Sequence, residues 1–283
     1  MHGESGVGAA QAKTALALDL KEQGEYAKAL ELLKEALGIY QAELSEEHIG
    51  IARAYSTMGR VYDNQGNYVM ALEMYEKSLA IIIKALGEDH PDVAATYGNI
   101  AIVYDNQGKC AMALEQYEKG LAVQIKALGK DHTDVANTYN NIALVYINQG
   151  QNEMALELFE KCLVIQIKAL GENHPDVAYT YNNIALVYKK QGKHEMALEL
   201  YEKGLVITIK ALGEDHTAVA TTYNNVANTK CNMAVVLLKQ GELARAGGLF
   251  RESAAIYIKM LGAEHSITLS ILKMARFCDG GAA

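Results

Sequence analysis

The chain has 283 residues, 50% of them hydrophobic and 21% charged, with a formal net charge of −8. That balance supports a sizeable core and disfavours nucleic acid or an anionic membrane surface as the main partner, since both demand clustered Lys and Arg. Two Pro and no Trp, where average usage gives roughly 14 Pro in such a chain, argue against an ordinary globular enzyme and for a nearly all-helical protein.

In chain order, residues 1–8 read as a flexible leader. Gly3-Glu-Ser-Gly-Val-Gly8 resembles the opening of a nucleotide-binding P-loop, but Ala9 stands where the Lys is required and Lys13-Thr14 come too late, so it does not cradle phosphate. The start has no basic stretch followed by an apolar one, so no secretory signal is visible. No apolar run reaches the length of a membrane span; Lys84, Lys126 and Lys168 break the longest. Cys110, Cys162, Cys231 and Cys278 show no CxxC spacing, which makes packing their role and a reduced, cytoplasmic compartment the simplest setting.

From residue 9 the chain is a repeat. His48, His90, His132, His174 and His216 step by 42 residues, as do Gly24, Gly66, Gly108, Gly150 and Gly192, and again Gly87, Gly129, Gly171 and Gly213. Three independent ladders with one period set the architecture. Each unit predicts two helices. In the unit beginning at His132, Asp134 sits near the positive N-terminus of helix A. Tyr139, Ile142, Ala143 and Tyr146 then make an amphipathic stripe, and Gly150 stops the helix. Helix B follows, from Met154 and Ala155 to Ile167, and ends at Gly171. Glu73/Lys77, Glu115/Lys119, Glu157/Lys161 and Glu199/Lys203 stand at i,i+4 in the favourable order. One such hairpin cannot bury its apolar face alone, so the units must stack. Ala71, Ala113, Ala155 and Ala197 mark close approach of helices, and Tyr55, Tyr97, Tyr139 and Tyr181 fill the space between repeats.

The sixth unit departs from the period. The step from Gly192 to Gly241 and that from His216 to His265 are both 49, and Asn225-Val226-Ala227 is echoed by Asn232-Met233-Ala234. Seven residues are nearly two helical turns, which predicts a longer helix A with its buried face kept and its end projecting; a looped-out segment is the other reading. Ser266–Phe277 reads as a lone capping helix, and 278–283 as a frayed tail.

The pattern Tyr139, Ile142-Ala143, Tyr146, Ala155, Phe159, Cys162 resembles the tetratricopeptide repeat across residues 9–277, lengthened from the usual 34-residue unit to 42. The phrases Ala-Leu-Gly-Glu-Asp-His-Pro-Asp-Val-Ala (85–94), Tyr-Asn-Asn-Ile-Ala (139–143 and 181–185) and Asn-Gln-Gly (106–108 and 148–150) are similar to those of kinesin light chains. The resemblance implies an all-α, right-handed superhelical solenoid of about six antiparallel helix pairs. It also implies a cargo-adaptor role, with a kinesin heavy chain as partner only through a coiled coil outside this chain. Nucleotidases with repeat tails carry the same long unit, so a regulatory tail of a P-loop nucleotidase stays open, as does a self-associating structural solenoid.

Helix A lines the concave face of such a solenoid. Asn99, Asn141, Asn183 and Asn225 fall there, with Asn140, Asn182 and Asn224 beside them. A carboxamide donates and accepts at once, which suits the backbone of an extended peptide; solvated residues copied by duplication are the competing account. Arg60, Ile102, Leu144 and Leu186 come next on that face. Arg53 and Arg60 at one end and Lys189 and Lys190 at the other suit acidic ligand residues, against the opposing field of Asp63 and Asp105. The His ladder reads as helix starts, because equivalent residues on successive units stand too far apart to share a metal ion. The expected function is a non-catalytic scaffold binding a protein or peptide, with no cofactor, metal, nucleic acid or membrane insertion.

Overall fold

The computed structural model describes residues 3–280, with side chains from residue 6 onward. Its elements are α1 (Gly3–Glu22), α2 (Tyr26–Glu43), α3 (Ile49–Asn64), α4 (Tyr68–Leu86), α5 (Pro91–Asn106), α6 (Cys110–Leu128), α7 (Thr133–Asn148), α8 (Asn152–Leu170), α9 (Pro175–Lys190), α10 (His194–Leu212), α11 (Thr217–Lys239), α12 (Leu243–Leu261) and α13 (Ser266–Cys278). The all-α class expected from the sequence is the one found. The helices group into two compact units, Met1–Val145 and Tyr146–Ala283, the division falling inside α7. In the first, α1 pairs with α2, α3 with α4 and α5 with α6, and each pair rests on the next. In the second, α9 pairs with α10 and α11 with α12, and α13 covers α12.

The periodic residues set where helices begin and end. The Nδ1 atoms of His48, His90, His132, His174, His216 and His265 accept hydrogen bonds from the backbone N–H two residues on, at 3.0–3.3 Å. Each ring therefore satisfies one of the donors a helix leaves unpaired at its start. Pro91 and Pro175 occupy the first helical position, where a missing N–H costs nothing. Gly66 ends α3 with φ +72 while Asn67 N–H reaches back to the Tyr62 carbonyl at 2.8 Å, the two-bond closure that a left-handed residue permits. Gly87 follows α4 at φ 89, ψ 161, a backbone region open to Gly almost alone.

Packing between helices rests on a second periodic series, Ser78, Gly120, Cys162, Gly204 and Ser253, on the helices that close each pair. Ser78 Oγ donates to the Ala52 carbonyl at 2.8 Å, and Ser253 Oγ to that of Ala227 at 2.9 Å. A Cβ on Gly120 or Gly204 would sit 3.1 Å from the carbonyl of Ala94 or Ala178. Small residues thus let the paired backbones approach. Around them Val61, Val103, Val177 and Val187 are completely or almost completely buried, each contributing about 1.5–3 kcal/mol of apolar transfer. Tyr97 joins Ala52, Ile82 and Val93, and Tyr181 joins Val177, Ala178 and Ile207, so the Tyr ladder does fill gaps between successive pairs.

Three expectations need correction. The segment read as a leader is helical from Gly3, and Val7 packs with Tyr40 and Ile51, because Ala10, Thr14 and Ala17 extend a buried stripe forward to it. Met1 and His2 lie outside the described residues. The segment read as a tail holds Cys278, buried in the last cluster, and Asp279, bound by Arg251 at 2.7 and 2.8 Å; residues 281–283 lie outside the described ones. In the sixth unit α11 is one helix of 23 residues, against 16 for α3, α5, α7 and α9. It leaves no projecting end. Thr222 receives a hydrogen bond from Asn182 of α9, whereas Ala227, Ala234 and Leu237 pack against α12 and α13. The insertion keeps one face: in the first copy of the echoed sequence Val226 packs with Ala185, Ala197 and Tyr201 while the Ala227 carbonyl takes Ser253, and in the second copy Ala234 packs with α12 and α13.

Candidate peptide-binding face

Helix geometry separates the two Asn series. Adjacent residues point about 100° apart on a helix, and the structure uses the two directions differently. Asn182 Nδ2 donates to Thr222 Oγ1 at 3.0 Å, and Asn224 Oδ1 accepts from the Tyr257 hydroxyl at 3.0 Å. Asn140 is buried, with Nδ2 3.4 Å from Asn141 Oδ1. Asn182 and Asn224, expected beside the row proposed for a ligand, are thus ties between helices, and Asn140 is buried beside that row. In the other series Asn99, Asn141 and Asn225 are half-buried with part of their surface open, while Asn183 is buried at 8% exposure.

Arg53 and Asn99 come together. They line one cleft of about 190 Å³ in the first unit, formed by α3, α4 and α5, with Ser56, Ser78, Asp92 and Thr96 among its polar walls and Ile49 and Ile82 among its apolar ones. Ser78 and Thr96 are committed to the carbonyls of Ala52 and Asp92, at 2.8 Å each. The guanidinium of Arg53, the Asn99 amide and the Asp92 carboxylate thus offer a donor fork, a two-way amide and an acceptor around a partly apolar floor. Arg60 is exposed and does not line this cleft, and Ile102 is exposed at 39%. Leu144 and Leu186 are half-buried. In the second unit Lys190 is exposed, while burial holds the half-buried Lys189 ammonium below its usual value.

Beneath this face runs a coupling that reading for ligands passed over. Burial, reinforced by Asp63, pushes the Tyr75 hydroxyl up, and burial with Asp105 does the same for Tyr117. Where the ring position carries Phe, the matching helix-A position is apolar: Phe159 with Ile147, and Phe250 with Leu238, which share a cluster in the latter case. Tyr201, matched with Lys189, has a buried hydroxyl with no partner among the described residues. The repeats carried this signal, because the two positions change together along one chain. A second missed feature is the buried Thr–Gln pair: Thr138 donates to Gln124 Oε1 and Thr180 to Gln166 Oε1, each at 2.7 Å. Both ladders were visible at the 42-residue period. The thiol of Cys162, 3.6 Å from Thr180 Oγ1, is pushed up to about 11 by burial, a packing residue as expected.

Tetratricopeptide-repeat profiles match residues 8–82, 64–126, 134–208, 178–231 and 219–267. The chain belongs to the tetratricopeptide repeat family. A Podosopora anserina protein described as a kinesin light chain with nearly identical tetratricopeptide-like repeats is 29% identical, over 71% of this chain and 96% of its own, with a TM-score of 0.60. BtubC (BKLC) from P. vanneervenii is 19% identical over 94% of this chain and 95% of its own, with a TM-score of 0.61. The signal-transduction ATPase with a tetratricopeptide repeat sensor from Pyrococcus horikoshii is 17% identical over 96% of this chain and 39% of its own, with a TM-score of 0.70. The last two share the fold. No curated protein matches the chain. Its solved structural neighbours thus include kinesin light chain-like tetratricopeptide proteins, and the tetratricopeptide fold is in its typical use a protein-interaction scaffold. No helix among the described residues is long and apolar enough to cross a membrane.

Proposed function

We infer that this tetratricopeptide chain is a non-catalytic, cytoplasmic adaptor that takes an extended peptide or short helix on the face formed in the first unit by α3, α5 and the start of α7. The observation that carries this reading is the cleft shared by Arg53 and Asn99, where charged, amide and apolar groups meet on helices that are themselves rigidly packed. Asn141, half-buried, extends the amide row, and Ile102 adds exposed apolar surface. Ligand backbone hydrogen bonds to the amides and side-chain burial against the apolar strip are the binding terms. The 29% identity to a kinesin-light-chain-like protein favours cargo adaptation among the scaffold roles.

The test is a peptide array followed by titration of the best binder against Asn99→Ala/Asn141→Ala and Arg53→Glu. Asn183 is left untouched because it is buried. Binding weakened about tenfold or more by either variant, with helicity unchanged, supports the reading. Equal affinity in all three proteins sinks it. Saturable nucleotide binding by the wild-type protein would favour a nucleotidase tail instead.

A further inference from the structure

A row of buried threonines shows what the cleft beside Arg53 lacks. Thr96, Thr138, Thr180 and Thr222 recur at the repeat interval on α5, α7, α9 and α11, and all four are buried. Three of them meet a carboxamide of the chain itself. Thr138 donates to Gln124 Oε1 and Thr180 to Gln166 Oε1, each at 2.7 Å. Thr222 donates to the Ala218 carbonyl at 3.0 Å and accepts from Asn182 Nδ2 at 3.0 Å. Thr96 likewise donates to a backbone carbonyl, that of Asp92 at 2.8 Å, but no amide among the described residues meets its oxygen.

Two residues account for the difference. Ile82 stands where the repeat has Gln124 and Gln166, and Ser56 stands where it has Asn182. In the second unit the Asn182 carboxamide lies against Gly204, its Oδ1 2.9 Å from where a Cβ would be. In the first unit the matching residue is Ser78, with its hydroxyl tied to the Ala52 carbonyl at 2.8 Å. The room an amide would take is left open. It is the cleft of about 190 Å³ whose walls include Ser56, Ser78, Ile82 and Thr96, with the exposed Arg53 beside them. A cavity of roughly 150 Å³ holds a benzene molecule, and a glutamine side chain has fewer heavy atoms than benzene.

We propose that this cleft is a side-chain pocket for a glutamine of the bound peptide, an inference that rests on the peptide-binding reading of this face. The ligand amide donates to Thr96 Oγ1 as Asn182 does to Thr222, its carbonyl oxygen accepts from the Arg53 guanidinium, and its methylenes lie against Ile49 and Ile82. The hydroxyl hydrogen of Thr96 is already committed to the Asp92 carbonyl, so Thr96 offers lone pairs alone. A carboxylate placed there meets no donor from Thr96, and an apolar side chain of the same length leaves its lone pairs unmet. The pocket therefore selects an amide over the acid and over the thioether.

The experiment titrates the full chain with N-acetyl-glutamine methylamide and, as controls, the matching glutamate and methionine compounds, following the amide chemical shifts of Thr96 and Asn99. Saturable shifts are expected with the glutamine compound, at an affinity on the order of millimolar, and binding about fivefold or more weaker with each control. Thr96→Val, which keeps the shape and removes the acceptor, is expected to weaken the glutamine compound about fivefold or more. Ser56→Asn/Ser78→Gly, which copies the arrangement of Asn182 and Gly204, is expected to fill the cleft and abolish binding. Equal binding of the glutamate or methionine compound, no binding of the glutamine compound, or no effect of either variant would overturn the proposal; circular dichroism checks that both variants fold. The wider reading fails separately. If the array peptide ignores Asn99→Ala/Asn141→Ala and Arg53→Glu while the glutamine compound still depends on Thr96, the peptide face falls and the pocket stands; the opposite pair of results sinks the pocket alone.

Discussion

At the residue scale, the helix-start histidines act as hydrogen-bond acceptors through Nδ1. In His174 the Nδ1 atom takes the Asp176 N–H at 3.2 Å. His174→Ala is expected to lower stability by about 1 kcal/mol, and His174→Asn to recover most of it, because Asn also caps a helix start; chemical denaturation of the three proteins measures both. Cys162 gives a pH-dependent counterpart. Its thiol is fully buried and pushed up to about 11. Being raised above the ordinary thiol value near 8.5, it contributes stability that is complete below that value and is lost as pH climbs towards about 11. Iodoacetamide is expected to modify Cys162 slowly at pH 9 in the folded chain and quickly in denaturant; rapid labelling of the folded protein at that pH would contradict the burial.

At the element scale, the small residues at the close approach matter more than their modest number implies. Gly204 has the Ala178 carbonyl and Asn182 Oδ1 within 3.1 and 2.9 Å of where a Cβ would stand. Gly204→Val is expected to cost about 1–3 kcal/mol by forcing α9 and α10 apart, read as a lower denaturation midpoint; Gly38, which has open space at the same test, is expected to tolerate Ala. The elements themselves were legible because their signals are local: a cap, a stripe at helical spacing, a Gly stop. The lengthened α11 was legible for the same reason. Where its additional turns pack was not, because an insertion of seven residues preserves the apolar face and leaves the choice of neighbour to three-dimensional register. The packing ties of the second Asn series were not legible, on similar grounds. Asn182 and Asn224 stand one residue from the row proposed to face a ligand, and their partners Thr222 and Tyr257 stand 40 and 33 residues away.

At the scale of the whole molecule, each helix pair relies on its neighbours, so damage at an end should stay near that end. Truncation after residue 265 removes α13 and uncovers Ala234, Leu237, Ala246 and Phe250. Hydrogen exchange is expected to lose protection in α11 and α12 while amides in α3–α6 keep theirs; uniform loss along the chain would show a cooperativity that nearest-neighbour packing does not provide.

The sequence by itself determined the helical class, the 42-residue unit, the helix starts and stops, and the family, since each follows from residues close together in the chain and copied at a fixed interval. Tertiary structure alone decided which polar residues face outward. It tied Asn182 and Asn224 into the packing and joined Arg53 to Asn99 across one cleft. Those outcomes depend on the rotation of one helix against another, and a repeating sequence is the same for a residue whether that rotation buries it or exposes it.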